Sequence, residues 1–347
     1  MQNQAELDRP GTVPRRHSPA DGGAPLSFIW LELTSRCNLE CVHCYANSGP
    51  HEPLSEGMTR DDWRDALEDA AALRCKAVQF IGGEPTIHPD LPYLIEHARS
   101  IGFERVWVYT NGTRFTDALK KVFLANRVSL AFSVYGSEGP IHDEITLRRG
   151  SHSKTLDAIR WSVAAGLTVR AGIIQMKSNA NDVQRTRRML NELGVSAVHV
   201  DRLRKVGRGA EDFQREPELR ELCGRCGKDK VCVTAAGEIY PCVFARSTSI
   251  GGVFSEGLAA AVAGPRLRGF KKQLALVRAG PDCSPEEDPG PCSPDTDPGP
   301  CSPEQDPGPC SPEQDPGPCN PDRDPGPCGP DLGVCFPDEP PPPDPPN

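Results

Sequence analysis

No run in the 347-residue sequence approaches the roughly 18 consecutive apolar residues that a membrane span requires. The N-terminus is polar up to about Pro25 and shows no apolar signal-peptide core, so a cytoplasmic protein with no membrane partner is expected. No Ser-His-Asp order and no phosphate-binding P-loop is present. Basic side chains are almost missing from residues 281–347, where Arg323 stands against 16 carboxylates. That segment carries a net −15, and with the whole chain at −9 it leaves residues 1–280 at +6. No nucleic-acid partner is expected. The acidic segment also holds 24 of the 37 prolines and 7 of the 15 cysteines, a composition that cannot bury a core.

Residues 1–26, with four prolines and no periodicity, read as a flexible lead-in. Strands are expected at Phe28 to Thr34, Ala77 to Ile81, Arg105 to Thr110, Val128 to Val134, Thr168 to Gln175 and Ala197 to Asp201. Helical periodicity occupies Thr59 to Leu73, Leu91 to Ile101, Thr116 to Ala125, Ser153 to Ala165 and Asp182 to Leu193, with Gly102, Gly166 and Gly194 at helix stops. This alternation implies an α/β parallel sheet with helices outside, either doubly wound or an incomplete barrel. The unusual residues follow successive strands: a cysteine cluster after the first, Gly82-Gly83-Glu84-Pro85 after the second, Asn111-Gly112 after the third and Ser133 near the end of the fourth. In a barrel they would meet on the C-terminal face, where such folds build their sites.

A second region, Val206 to Gly280, holds four more cysteines, a strand and turn around Gly237 and a weak helical stretch from Ala259 to Leu276. Beyond it the cysteines at 283, 292, 301, 310, 319 and 328 recur every nine residues in C-[SN]-P-x-x-D-P-G-P units. The organisation expected is therefore a lead-in over 1–26, a core over 27–205, a cysteine-rich α+β domain over 206–280 and a disordered Pro/Cys-rich tail over 281–347.

Fifteen cysteines in a reducing compartment point to metal or redox chemistry rather than disulfides. Cys37, Cys41 and Cys44 have a C-x3-C-x2-C spacing, which lets one loop wrap its thiolates around a soft centre, zinc or an iron–sulfur cluster. Structural zinc would be four-coordinate, whereas three thiolates on a cubane leave one iron open. Cys75, alone after a helix, reads as packing.

The C-x3-C-x2-C loop, with His43 and Tyr45 around its last cysteine, and the Gly82-Gly83-Glu84-Pro85 turn in the same register resemble the radical SAM family. The resemblance implies a partial (β/α)6 TIM-like barrel with a [4Fe-4S] cluster on Cys37, Cys41 and Cys44. S-adenosylmethionine would chelate the open iron, near His43, Gly82, Gly83, Glu84, Pro85, Asn111, Ser133 and Gln175. Cys223, Cys226, Cys232 and Cys242, with Gly237 turning between the last two, are similar to the start of the SPASM/twitch extensions that bind an auxiliary [4Fe-4S] cluster. A four-cysteine zinc ribbon is the alternative. A full SPASM domain continues with C-x2-C-x5-C-x3-C, and this chain has the nine-residue repeat there instead.

The implied activity is reductive cleavage of S-adenosylmethionine to a 5′-deoxyadenosyl radical, with electrons from a donor such as flavodoxin or ferredoxin. The expected substrate is a ribosomally made precursor peptide, modified oxidatively by a cross-link, thioether or related bond. The alternatives are a small-molecule cyclase of cofactor biosynthesis, an amino-sugar dehydrogenase, or a non-catalytic metal-binding scaffold. No catalytic residue is named by any motif. Arg204, Lys205 and Arg208 read as a solvated basic face, and no catalytic role follows for the His142-Asp143 pair.

Overall fold

Five consecutive buried residues, Phe28–Glu32 (β1), open the fold as a strand covered on both faces, the pattern expected of a parallel sheet. The computed structural model describes residues 26–210 and 219–279. From β1 the chain alternates through α1 (Arg60–Ala72), β2 (Ala77–Ile81), α2 (Leu91–Ser100), β3 (Arg105–Thr110), α3 (Asp117–Ala125) and β4 (Ser129–Ser133). It continues with α4 (Gly139–Thr146), α5 (Ser151–Ala164), β5 (Val169–Gln175), α6 (Val183–Glu192) and β6 (Ala197–Arg202). Local chemistry sets several boundaries. Thr59 caps α1 in a reciprocal box with Asp62, and Thr116 caps α3 through Leu119 N. Gly102, Gly166 and Gly194 follow helix ends at positive φ, where a side chain would be strained.

Strands β1 to β6 pair in sequence order and in parallel, giving the partial barrel. Alternate residues divide between two environments. Val106, Val108, Leu130, Phe132, Val169 and Ala171 belong to the large apolar core, while Trp107 and Ala131 form a separate small cluster with Tyr109. On that second face the Arg170 guanidinium lies 4.5 Å over the Trp107 ring. A Cβ on Gly172 would stand 2.2 Å from the Tyr109 hydroxyl, so the glycine leaves room for that ring.

The second region does not form a detached sheet. Its first strand, β7 (Lys230–Val233), pairs in parallel with β1, and β8 (Glu238–Tyr240) and β9 (Gly251–Gly252) follow antiparallel. One nine-stranded sheet results, ordered β6-β5-β4-β3-β2-β1-β7-β8-β9. The barrel is open because β7 takes the β1 edge that would close it onto β6. Two helices, α7 (Gly257–Ala263) and α8 (Pro265–Ala279), replace the single stretch expected from Ala259 to Leu276. The break is at Gly264-Pro265, where proline lacks the N–H that would continue a helix. Helix α4 was not expected from periodicity. The lead-in and the nine-residue repeat lie outside the described residues. Among the described residues no helix is long and apolar enough to cross a membrane.

Candidate functional site

The loop after β1 is built against the Gly82-Gly83 turn after β2. Gly83 N donates to Thr34 O at 2.6 Å and Glu84 N to Arg36 O at 3.0 Å. A Cβ on Gly83 would stand 2.1 Å from Arg36 O, and one on Gly82, at φ 138°, 2.5 Å from Thr34 O. The glycine pair is thus a shelf for the first turn of the cysteine loop. Further along, Cys37 N bonds Gly49 O, Cys44 N bonds Cys41 O, and Val42 N reaches Ile145 O on α4. Arg208 clasps the loop from above: its backbone N donates to Cys44 O at 3.0 Å, and its guanidinium donates to Cys41 O and Ser48 O, each at 2.8 Å. It therefore has a specific place, where the sequence suggested only a solvated face.

Cys37, Cys41 and Cys44 share one space. Burial first, then the Glu84 charge, pushes the Cys37 thiol up to about 12. Cys41 is raised by burial and by Cys37 and Cys44 beside it. Two N–H groups nevertheless aim at the Cys37 sulfur, from Leu39 N at 3.4 Å and Asn111 Nδ2 at 3.7 Å, an environment that suits a thiolate. Buried thiols of this kind ionise when a bound cationic centre replaces their protons, so the donor set fits an iron–sulfur cluster. His43 stands edge-on to Tyr135, with ring centroids 4.4 Å apart, and its Nδ1 is buried without a partner. Burial and the Arg208 cation lower it to about 4, so the imidazole is neutral at pH 7.

Glu84 is fully buried, and its carboxylate accepts from Thr86 N, Thr86 Oγ1, Thr110 Oγ1 and Asn111 N at 2.6–3.0 Å. It braces the loops after β2 and β3, while Pro85 starts the short turn Pro85–Ile87 that Glu84 caps. Asn111 carries this brace to Cys37 and also donates to Asn38 Oδ1 at 2.9 Å. Ser133 hydrogen-bonds both Tyr109 and Tyr135. Gln175 is exposed at the end of β5 and lines a cavity with Lys177 and Arg202. His142 Nδ1 accepts from Tyr135 N at 3.1 Å, and Asp143 bonds Gly150 N, Ser151 Oγ and His152 N at the start of α5. That pair has a structural place.

Of the second cysteine group, three converge. Cys226 Sγ lies 2.9 Å from Cys242 Sγ, and its thiol also hydrogen-bonds Cys223. Sharing the single Cys226 proton holds Cys223 down at about 6 and lowers Cys242, while Cys226 is pushed well above the usual thiol range. Cys232, on β7 opposite Trp30 of β1, is raised first by burial; it hydrogen-bonds Glu32 and lies within electrostatic reach of Cys242, which raises its thiol further. Glu32 also pairs with Arg246 and accepts from Tyr45 Oη at 3.0 Å. Arg246 lies over the Tyr45 and Tyr240 rings at 5.4 and 5.5 Å. Among the described residues no three His, Cys, Asp or Glu side chains close to the spacing of a single bound ion. Cys75 is buried and donates to Ala77 O, a packing role. Sequence reasoning missed Glu32 and Arg246, whose pairing crosses 214 residues and has no local signal.

Residues 31–190 match the family described as the radical SAM superfamily. This segment is similar to the radical SAM domains of that family. Over 195 residues the chain is 31% identical to the AdoMet-dependent heme synthase of Methanosarcina barkeri, covering 56% of this chain and 55% of that protein. It is 31% identical over 159 residues to the PqqA peptide cyclase of Rhodopseudomonas palustris, covering 45% and 41%. The chain spans about half the length of these curated relatives. The chain also superposes on Streptococcus suis SuiB bound to precursor peptide SuiA, with a TM-score of 0.60 at 15% identity over 72% of this chain and 67% of that one. That likeness is one of fold. A [4Fe-4S] cluster and S-adenosylmethionine are the cofactors that the family implies.

Proposed function

We propose that this protein is a radical SAM enzyme that oxidatively modifies a ribosomally made peptide. The observation that carries the radical chemistry is the three-thiol loop after β1, seated on the Gly82-Gly83 shelf with Asn111 aimed at Cys37. Cys37, Cys41 and Cys44 would hold the cluster. With S-adenosylmethionine bound, that cluster would supply the one-electron chemistry that generates a 5′-deoxyadenosyl radical for hydrogen abstraction from an unactivated carbon. The chain's own residues do the rest. Arg208 and the glycine shelf fix the loop, Glu84 and Asn111 tie the β2 and β3 loops to it, and His43 with Tyr135 covers its flank against water. Pro85, Ser133 and Gln175 stand at the ends of β2, β4 and β5 on the same face and complete the candidate cofactor-binding set.

Cys223, Cys226 and Cys242 support an auxiliary cluster able to take back the electron that an oxidative cross-link releases. Cys232, within electrostatic reach of Cys242, is the fourth candidate ligand. The resemblance to a peptide cyclase favours a peptide. The resemblance to a heme synthase keeps a small-molecule substrate as the second reading. A reduced flavodoxin or ferredoxin in the cytoplasm would supply electrons. The test is anaerobic reconstitution followed by reaction with S-adenosylmethionine, a strong reductant and a candidate precursor peptide. Iron near eight per chain, 5′-deoxyadenosine release and a peptide lighter by two hydrogens are expected. No cleavage of S-adenosylmethionine overturns the enzyme reading, and cleavage with the peptide unchanged in mass overturns the oxidative peptide reading.

A further inference from the structure

The loop that carries Cys37, Cys41 and Cys44 has an outer side as well as a buried one. Val42, between the second and third cysteines, is 43% exposed. Its backbone N donates to Ile145 O at 3.0 Å, and Glu40 N donates to Thr146 O at 3.4 Å, so the end of α4 runs alongside the loop. Leu147 terminates that helix at φ 53° and is 58% exposed. Two large apolar side chains therefore reach solvent directly beside the cysteines.

Cations flank this pair. Arg148 and Arg149 follow Leu147, and both are exposed. On the loop's other side Asn38 Nδ2 donates to Thr113 Oγ1 at 2.7 Å, which sets the exposed Arg114 next to it. Thr155 Oγ1 donates to Asn111 O at 2.6 Å and ties the first turn of α5, with the exposed Lys154, to that side. These four cations stand against two exposed carboxylates, Glu40 and Glu144, while Asp143 is turned onto Gly150 N, Ser151 Oγ and His152 N. The excess has the sign of the net +6 carried by residues 1–280. An apolar centre within a cationic rim fits the surface of an acidic protein. What lies beneath decides which kind, because Val42 is one Cα step, ~3.8 Å, from Cys41.

We propose that this patch is the docking surface for the electron donor, an acidic one-electron carrier protein. The proposal rests on the radical SAM reading above. With the donor over Val42 and Leu147, one electron leaves the donor, which is oxidised, and enters the cluster on Cys37, Cys41 and Cys44, which is reduced. No bond forms or breaks between the two proteins.

The test mixes the anaerobically loaded holoenzyme with a reduced bacterial flavodoxin, an acidic flavoprotein, and follows cluster reduction by absorbance. Calorimetric titration of the same chain with oxidised flavodoxin reads docking without electron transfer. At low ionic strength Arg148→Glu/Arg149→Glu should slow the flavodoxin reaction and weaken docking by roughly tenfold or more, and added salt should slow the unaltered protein. Arg114→Glu/Lys154→Glu, on the other flank, should act in the same direction. Lys121→Glu/Arg127→Glu reverses two exposed cations at the far end of α3 and should stay within about twofold. Dithionite, which needs no docking, should reduce every variant at one rate. Patch variants that behave like the Lys121 and Arg127 control overturn the proposal, as does slowing that dithionite shares while calorimetric docking is unchanged. Phosphatidylglycerol vesicles that bind the full chain as tightly as flavodoxin, through the same arginines, overturn the donor assignment. A cluster that neither reagent reduces, in a chain that still docks flavodoxin through these arginines, sinks the radical SAM reading and not the surface.

Discussion

Replacing Arg246 by methionine should destabilise the protein far more than loss of an exposed arginine. The Glu32 side chain is 7% exposed and that of Arg246 22%, so the pair is substantially desolvated. Arg246→Met leaves the Glu32 carboxylate with Tyr45 Oη and the Cys232 thiol as its partners and no cation. Breaking a buried pair from one side costs about 3–5 kcal/mol. The two aromatic faces that Arg246 covers add about 0.5–1 kcal/mol each. Together these make about 4–7 kcal/mol, which for a folded unit of this size, at ~2–4 °C per kcal/mol, is a fall in Tm of roughly 8–28 °C. Glu32→Gln keeps the shape and the Tyr45 hydrogen bond but strips Arg246 of its counter-charge, and should cost about 2–3 kcal/mol. Urea unfolding followed by tryptophan fluorescence reads both, since Trp30 is two residues from Glu32. The decisive quantity is the cycle: Glu32→Gln/Arg246→Met should be more stable than the sum of the single losses predicts, by about 1.5 kcal/mol or more. Single variants costing under about 0.5 kcal/mol, or losses that simply add, would refute the reasoning.

Arg208→Gln removes the charge that clasps Cys41 O and Ser48 O; a loss of about 1.5–3 kcal/mol per charged hydrogen bond is expected, seen as iron lost on gel filtration after anaerobic loading. Arg208→Lys, a single ammonium without the fork, should rescue only part of that retention. Gly83→Ala drives a methyl into the Arg36 carbonyl, backbone that cannot swing aside, and should cost about 1–3 kcal/mol or more together with iron binding. His142, held down at about 4 by burial and the neighbouring His152, is neutral in the fold and protonates more readily when unfolded. Stability should therefore fall as pH drops from about 6.5 towards 4, at up to ~1.4 kcal/mol per unit, and His142→Asn should flatten that slope in denaturation curves.

Much of the barrel could be read locally. Thr59 and Thr116 announce helix starts, and the apolar runs at Ala77 and Arg105 coincide with the strands because each is decided by its own residues. Helix α4 escaped because its eight residues begin Gly139-Pro140 and end on Leu147 at φ 53°, without the glycine that usually marks a stop. The split at Gly264-Pro265 was visible in the sequence and was outweighed by the apolar spacing on both sides. In the site, the three cysteines of one loop are legible because their spacing is short. Arg208, held to Cys41 from 167 residues away, is not, since an arginine in a basic cluster looks the same whether it faces water or two carbonyls. Glu84 shows a further limit: its place in the turn was evident, but the four donors that occupy its carboxylate come partly from β3.

The shared sheet sets an order on how the chain can be made. β1 meets β2 within about fifty residues, but its other edge waits for β7, whose Lys230 pairs with Phe28 from 202 positions later. During synthesis, a strand as apolar as Phe28–Glu32 is left open on one side until almost the whole described body has emerged. A fragment cut at the apparent boundary near residue 205 would keep all six barrel strands and still present that raw edge to its neighbours. It should aggregate, whereas a fragment carried through β9 should not.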